Sequence, residues 1–291
     1  MPKKNQSIIK IGVIGGSGLY EMEGLTGIKK VAVKTPFGAP SGPLMTGTLE
    51  GHPVAFLARH GQGHKLLPSE INYRANIFGM KTLGVERIIS VSAVGSMKEH
   101  IQPGHLVIPN QFYDHTRSRR STFFGDGIVA HVSFAQPVCL DLAAHLFEAG
   151  KEIGAAIHQG GTYLCMDGPQ FSTRSESLIY RSWGIDVIGM TNVTEAKLAR
   201  EAEMCYSTIA LATDYDCWHE EVESVSVESV IKILNQNVAI SKKLIMRAIP
   251  KLGKERTCSC SVALKNAIIT SKKGIPAKVK NRLKPLIQKY L

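Results

Sequence analysis

The chain has 291 residues, 44% of them hydrophobic, and a formal net charge of +11 at pH 7. That is enough to bury a sizeable core as one large domain or two small ones, with no need of disulfides or metals. The longest apolar runs are strand-sized and no signal-peptide core follows Met1 to Asn5, which argues against a membrane span or a secretory route and for a cytoplasmic protein.

The chain opens on an apolar strand, Ile8 to Ile14, and then alternates short apolar runs with segments of helical period, the pattern of an α/β domain. A helix is expected over Glu70 to Leu83, after Pro68-Ser69 and before Gly84, followed at once by a strand from Arg87 to Ser92. Thr173-Arg174-Ser175-Glu176 has the form of a capping box and should start a helix that runs to Gly184. A strand over Asp186 to Gly189, a helix through Glu195 to Ala202 and a strand over Ser207 to Thr213 come next. Val227, Val230, Ile231, Leu234 and Val238 mark one face of a long helix that Pro250 must end. No repeat or low-complexity linker divides the chain. It reads as a single domain over 1–291, with a body over 8–250 and a basic C-terminal extension over 251–291.

Charge is concentrated at that end. Lys242 to Leu291 hold 14 Lys/Arg and one acid, so this stretch carries +13 and the rest sums to −2. No aromatic-interleaved groove or DNA-binding motif accompanies it, which argues against a nucleic-acid partner and for a solvated basic face. The six cysteines match no zinc-binding spacing, so no metal is expected, and Cys258-Ser259-Cys260 reads as two free thiols in a reducing compartment, with a strained redox-active loop as the alternative.

Three strand ends carry small or anion-friendly residues. Gly15-Gly16-Ser17-Gly18 follows the first strand and suits amides pointed at an anion, but lacks the third glycine of a dinucleotide fingerprint and the lysine of a Walker loop. Arg59-His60-Gly61 pairs a fork-shaped cation with an imidazole, and Ser92-Ala93-Val94-Gly95-Ser96 offers a hydroxyl among small neighbours. Each alone also fits a structural turn. Together they point to one free phosphate held by hydroxyls, amides and an arginine. At the end of the most apolar strand, Asp214 and Asp216 stand two positions apart in Ala212 to Trp218. If the strand continues, both face one side, and mutual repulsion holds a proton on one of them. A protonated carboxyl can act as a general acid and an ionised one can accept from an amino group, although a turn role for the two is also open.

Taken in order, Ile14 to Leu19, Arg59-His60-Gly61, Ser92 to Ser96, Gly168-Pro169-Gln170-Phe171-Ser172, Gly189-Met190-Thr191 and Ala212 to Trp218 make the chain resemble the methylthioadenosine phosphorylase branch of the trimeric purine nucleoside phosphorylase family. The match spans about Ile11 to Pro250. The resemblance implies a nucleoside phosphorylase fold, a central mixed β-sheet, partly barrel-like, flanked by α-helices. It implies phosphorolysis of 5'-methylthioadenosine to adenine and 5-methylthioribose 1-phosphate in purine and methionine salvage, with no cofactor and with inorganic phosphate as co-substrate. Ser17, Arg59, His60, Ser92, the amide of Ala93 and Thr191 would hold phosphate. Met190 would lie on the ribose, and Phe171, Ser172 and Tyr215 would belong to the base pocket. Asp214 would support proton delivery to N7 and Asp216 would accept from the N6 amino group. Val227 and Val230 would line the 5' pocket, and His131 would enter a neighbour's site, implying a homotrimer, with a hexamer also open. Ser17 and Ser92 stand where relatives often carry threonine, and Val94 is bulkier than the residue common there. A broader phosphorylase acting on adenosine or inosine, a hydrolytic nucleosidase, and nucleic-acid binding through the basic tail are the competing readings.

Overall fold

A computed structural model of the chain describes residues 9–219, 227–253 and 255–291, without the side chains of residues 17 and 227–232. Its strands are β1 (Ile11–Gly15), β2 (Thr26–Val31), β3 (Leu44–Leu49), β4 (His52–Ala58), β5 (Arg87–Ser96), β6 (Leu106–Ile108), β7 (Gln111–His115), β8 (Ile157–Gln159), β9 (Thr162–Met166), β10 (Val187–Gly189) and β11 (Cys205–Asp214). The α-helices are α1 (Tyr73–Thr82), α2 (Leu140–Glu152), α3 (Arg174–Ser182), α4 (Asn192–Glu201), α5 (Val227–Ala248), α6 (Ala277–Arg282) and α7 (Lys284–Ile287).

All eleven strands join one mixed sheet that forks at β5. The first half of β5 pairs in parallel with β1, and its last two residues pair with antiparallel β10 on the same edge. The other edge of β5 carries β11 in parallel along its length. From β11 the sheet continues through β6 to β8, while β10 leads to β9 and β7 and β1 leads to β4, β3 and β2. The mixed central sheet that the resemblance implies is therefore present.

Side chains alternate across the strands and so load two faces. Ile11 and Val13 of β1 and Ile209 and Leu211 of β11 join Leu142 and Leu146 of α2 and Leu244 of α5 in one buried cluster. Ile14 of β1 and Tyr206 of β11 pack on the other side with Ile77 and Met80 of α1 and Leu198 of α4. The basic C-terminal stretch contributes Leu264, Ile275, Val279, Leu283 and Ile287 to this second cluster and is seated on the body by them, while its Val262, Ile269 and Leu291 stay exposed.

Several element ends differ from expectation for local reasons. Strand β1 starts at Ile11, and Ile8 lies outside the described residues. Helix α1 starts after Asn72, whose side chain accepts from the Ala75 N–H at 3.1 Å, because the Glu70 carboxylate instead closes a turn on the Leu67 N–H. The Thr173–Glu176 capping box is formed in both directions and starts α3, which stops just before Gly184 at φ +81°. Helix α5 ends at Ala248, and Pro250 falls in the 3-10 turn that follows.

Candidate active site

The C-terminal ends of β1, β4, β5, β10 and β11 converge on a cavity of about 470 Å³, closed on one side by α5. Strand ends are where an α/β sheet leaves backbone groups and side chains free to meet a ligand.

At one end of the cavity lies Arg59, 3% exposed, directly after β4. Its Nε and Nη2 donate to the two carboxylate oxygens of Glu195 at 2.6 and 3.1 Å, Nη2 also reaches Ser90 Oγ at 2.6 Å, and Nη1 donates to Val91 O at 2.8 Å. Burial alone would lower the guanidinium pKa, but the charge and hydrogen bond of Glu195 reverse this and keep it protonated. Glu195 in turn accepts from Tyr206 Oη and Ser90 Oγ at 2.9 and 3.1 Å. Arg59 is thus a locked fork, with one Nη1 hydrogen beyond these bonds. Glu195 lies inside α4, where a charged residue reads in sequence as a solvated helix face, and only folding shows it under the arginine.

His60 sits beside it. Its Nδ1 lies 2.8 Å from Leu66 O and, since a carbonyl only accepts, Nδ1 carries the hydrogen. Burial, with the Arg59 charge and His64 adding to it, pushes His60 down to about 4, so the imidazole is neutral at pH 7 and Nε2 is an acceptor. Thr191, 3% exposed, is the N-cap residue of α4 and lines the cavity without capping its helix by its side chain. The positive end of that helix therefore faces the cavity. Beneath it, Asn192 accepts from Thr191 Oγ1 and Tyr163 Oη at 3.0 and 3.2 Å and donates to Thr208 Oγ1 at 2.6 Å. Ser92 and Ala93 of β5 complete this end.

The glycines of the first turn serve different ends. Gly16 has φ −68° and ψ 158°, a conformation any residue adopts, and a Cβ built on it meets nothing within 4 Å. Neither its backbone nor the protein's packing requires glycine there, yet Gly16 borders the cavity. Gly15 is a packing glycine, since a Cβ would fall 2.4 Å from Leu19 Cδ1. The Ser17 side chain lies outside the described residues.

Asp214 and Asp216 both border the other end of the cavity, but not through a continuing strand. Strand β11 stops at Asp214, and Asp216 has φ +52° in the left-handed region. Asp214 Oδ1 accepts the Asp216 N–H at 2.8 Å, the turn-forming role that was the competing reading, and Oδ2 accepts from Thr213 Oγ1 at 2.7 Å. Burial pushes the Asp214 carboxyl above its ordinary value against these two hydrogen bonds, and the Asp216 charge adds a smaller push. Burial likewise raises Asp216. Desolvation, more than the mutual repulsion argued from spacing, is what favours a bound proton here. Gly95 makes the arrangement possible: a Cβ on it would lie 3.0 Å from Asp214 Oδ1 and 3.3 Å from Asp216 Cβ.

Phe171 and Ser172 border the same end, Phe171 half exposed at 51%, and Met190 also lines the cavity. Tyr215 does not line the cavity; its ring stacks on His219 at 4.7 Å and its hydroxyl donates to Glu99 O at 3.3 Å. His131 is exposed and does not line the cavity of its own chain. Val227 and Val230 have side chains outside the described residues, but Leu234 and Val238, one and two turns further along α5, form an apolar wall. Among the described residues, no helix is long and apolar enough to cross a membrane.

Comparison with known proteins agrees with this geometry. The family model of the phosphorylase superfamily matches residues 10–250. An S-methyl-5'-thioadenosine phosphorylase from Geobacter sulfurreducens is 62% identical over 97% of this chain and 99% of that protein. A crystal structure of a methylthioadenosine phosphorylase from an antarctic soil metagenomic library superposes with a TM-score of 0.92 at 48% identity, covering 95% of this chain and 98% of that one. The methylthioadenosine phosphorylase of Schistosoma mansoni in complex with adenine matches with a TM-score of 0.81 at 35% identity over 88% of this chain and 96% of that one.

Proposed function

From the premise that this chain belongs to the phosphorylase superfamily, in its S-methyl-5'-thioadenosine phosphorylase group, we propose that it cleaves 5'-methylthioadenosine with inorganic phosphate to adenine and 5-methylthioribose 1-phosphate. The observation that carries the reading is one cavity with opposite chemistry at its two ends: a fixed cation and a helix N-terminus at one, two proton-favouring carboxyls at the other.

In this reading phosphate binds at the Arg59 end. The spare Nη1 hydrogen of Arg59, the Ser92 hydroxyl, the Thr191 hydroxyl once it turns away from Asn192, the Ala93 amide and backbone near Gly16 and Ser17 supply donors, and the helix dipole of α4 favours the anion. Neutral His60 offers Nε2 as an acceptor for the one protonated phosphate oxygen. Open space at Gly16 supports close approach of the anion to the backbone. The adenine then lies against Phe171 and Ser172, with Met190 on the ribose, while Asp214 delivers a proton toward N7 and Asp216 accepts from the N6 amino group.

Chemistry follows from that placement. As the bond from C1' to N9 lengthens, positive charge grows on the sugar, and a phosphate oxygen held beneath it stabilises that charge and then bonds to C1'. Protonation at N7 lets adenine leave as a neutral base. Asp216 as an ionised acceptor favours an amino-substituted purine over a 6-oxopurine, which presents a carbonyl acceptor at the same position. Leu234 and Val238 support a methylthio group at the 5' position, whose burial is worth about 1–2 kcal/mol more than that of a hydroxyl stripped of water. The exposure of His131, away from its own cavity, supports its entry into a neighbour's site in a trimer, and exposed Tyr113, Ile179 and Trp183 offer apolar surface for association. Substrates of this kind suit a cytoplasmic enzyme.

Phosphorus NMR of the reaction mixture tests the proposal. A sugar 1-phosphate resonance should grow as the inorganic phosphate signal falls. Release of adenine with the phosphate signal unchanged would make the enzyme a hydrolase and defeat the assignment.

A further inference from the structure

Four of the six cysteines meet at a point remote from the cavity. Cys139 stands at the N-cap of α2, Cys205 is the first residue of β11, and Cys258 and Cys260 lie in the C-terminal segment. Their Sγ atoms all lie within 4.8 Å of one another, with Cys205 and Cys258 at 3.3 Å. Cys139, Cys205 and Cys260 are buried, Cys258 is partly exposed, and all four are unbonded. We propose that these four sulfurs form a tetrathiolate site for one structural zinc ion, which fastens the C-terminal segment to the body of the protein.

Size and donor type fit that ion. Zinc–sulfur bonds of about 2.3 Å in a tetrahedron place sulfurs about 3.8 Å apart, within the spread of this cluster. An all-thiolate set is soft, which selects zinc over the hard cations magnesium and calcium, and four protein ligands close the shell as structural zinc sites do. The thiolate of Cys139 also gains from its place at the positive end of a 13-residue helix.

The ligands are held in place independently of any ion. The Cys139 N–H donates to Tyr206 O and the Cys205 N–H to Glu86 O, each at 2.9 Å. On the C-terminal side, Arg87 Nη2 donates to Glu255 O at 2.8 Å and Arg256 Nη1 to Glu203 O at 2.7 Å, while the Leu264 N–H donates to Glu203 Oε1 at 2.9 Å. The chain is thereby pinned on both sides of Cys258 and Cys260, and a preformed site costs little to organise on binding. Strand β11 runs from Cys205 to Asp214, so the cluster lies about 30 Å from the paired aspartates at the strand rise of about 3.3 Å. A metal there acts on stability and leaves the reacting atoms alone.

The expectation of free thiols and no metal rested on spacing along the chain, and positions 139, 205, 258 and 260 show no compact zinc pattern. Folding supplies the two ligands that spacing hides.

The test uses full-length protein expressed with added zinc and purified under reducing, chelator-free conditions. Elemental analysis should find about one zinc per chain, and Cys260→Ser should abolish it while Cys165→Ser, outside the cluster, retains it. Because a cysteine variant can misfold, the unaltered protein is also stripped and refilled with cobalt, which should give the intense visible bands of tetrahedral cobalt thiolate. Zinc removal should lower Tm by about 5 °C or more without changing KM for nucleoside or phosphate at 25 °C. Reduced, folded protein that retains no zinc and develops no cobalt thiolate bands would overturn the proposal, as would iron in the site or disulfides among these four cysteines that reform in the presence of zinc.

Discussion

Asp214 fixes a left-handed turn through the Asp216 N–H, and in the proposed reaction the same side chain gives up a proton. Asp214→Asn can still accept at Oδ1 but cannot act as an acid. Its kcat should therefore fall about 10²- to 10⁴-fold while the KM for phosphate stays close to that of the parent enzyme; steady-state kinetics with phosphate varied checks both. Burial raises this carboxyl, so in the parent enzyme kcat should decline as pH rises through that raised value and the Asn variant should lose that limb of the profile. The glycines allow a paired test. Gly95→Ala puts a methyl group 3.0 Å from Asp214 Oδ1 and should cost about 1–3 kcal/mol of stability as well as turnover. Gly16→Ala meets no protein atom and should leave Tm unchanged while raising the KM for phosphate, a contrast that thermal melts and kinetics together reveal. At this scale the sequence spoke clearly for residue types and poorly for directions. Arg59, Ser92, Asp214 and Asp216 were recognisable from residue type at strand ends, Thr191 only through the resemblance, and all five border the cavity. Glu195, Asn192 and Gly95 were not, because an acid or amide inside a helix and a small residue inside a strand look the same whether they serve a ligand or the fold.

Helix α4 serves both the cavity and the stability of the fold. Its N-terminus faces the cavity at Thr191, its middle holds Glu195 against Arg59, and its last residue, Glu201, accepts from Thr122 Oγ1 and the Phe123 N–H at 2.7 Å each. Burial pushes Glu201 up to about 7 from 4.5 in spite of those two hydrogen bonds. The folded state therefore holds a proton that the unfolded chain has already lost. The contribution is fully present below about pH 4.5, is lost as pH rises through about 7, and amounts to about 3 kcal/mol. Glu201→Gln should flatten the fall in Tm between pH 5 and 8; an unchanged slope would show that other groups set it. For α3 the capping box was legible because its four residues are contiguous, and Thr173→Ala should cost about 1 kcal/mol in denaturant unfolding. Long strands and helices with clear period were legible too, whereas three-residue strands such as β6 and β8 carry too few side chains for a period to show. Helix α1 began later than expected because the choice between Ser69 and Asn72 as cap is made by the turn that Glu70 closes.

Across the whole molecule, the forked sheet brings together strand ends that lie far apart in the chain, with Gly16, Arg59, Ser92, Thr191 and Asp214 meeting around one cavity. The residue types at three strand ends already pointed to one shared phosphate, and the resemblance added Thr191 and the base pocket. The basic C-terminal stretch was the least legible part, since its lysines dominate composition while the buried Leu264, Val279, Leu283 and Ile287 that seat it are spread thinly among them. The proposed function requires a cavity that takes phosphate at one end and an aminopurine nucleoside at the other. The most direct measurement is base release from 5'-methylthioadenosine, adenosine and inosine side by side, with and without phosphate. The prediction is adenine from 5'-methylthioadenosine only when phosphate is present, with adenosine slower and inosine negligible. Equal release without phosphate, or hypoxanthine formed as fast as adenine, would contradict it.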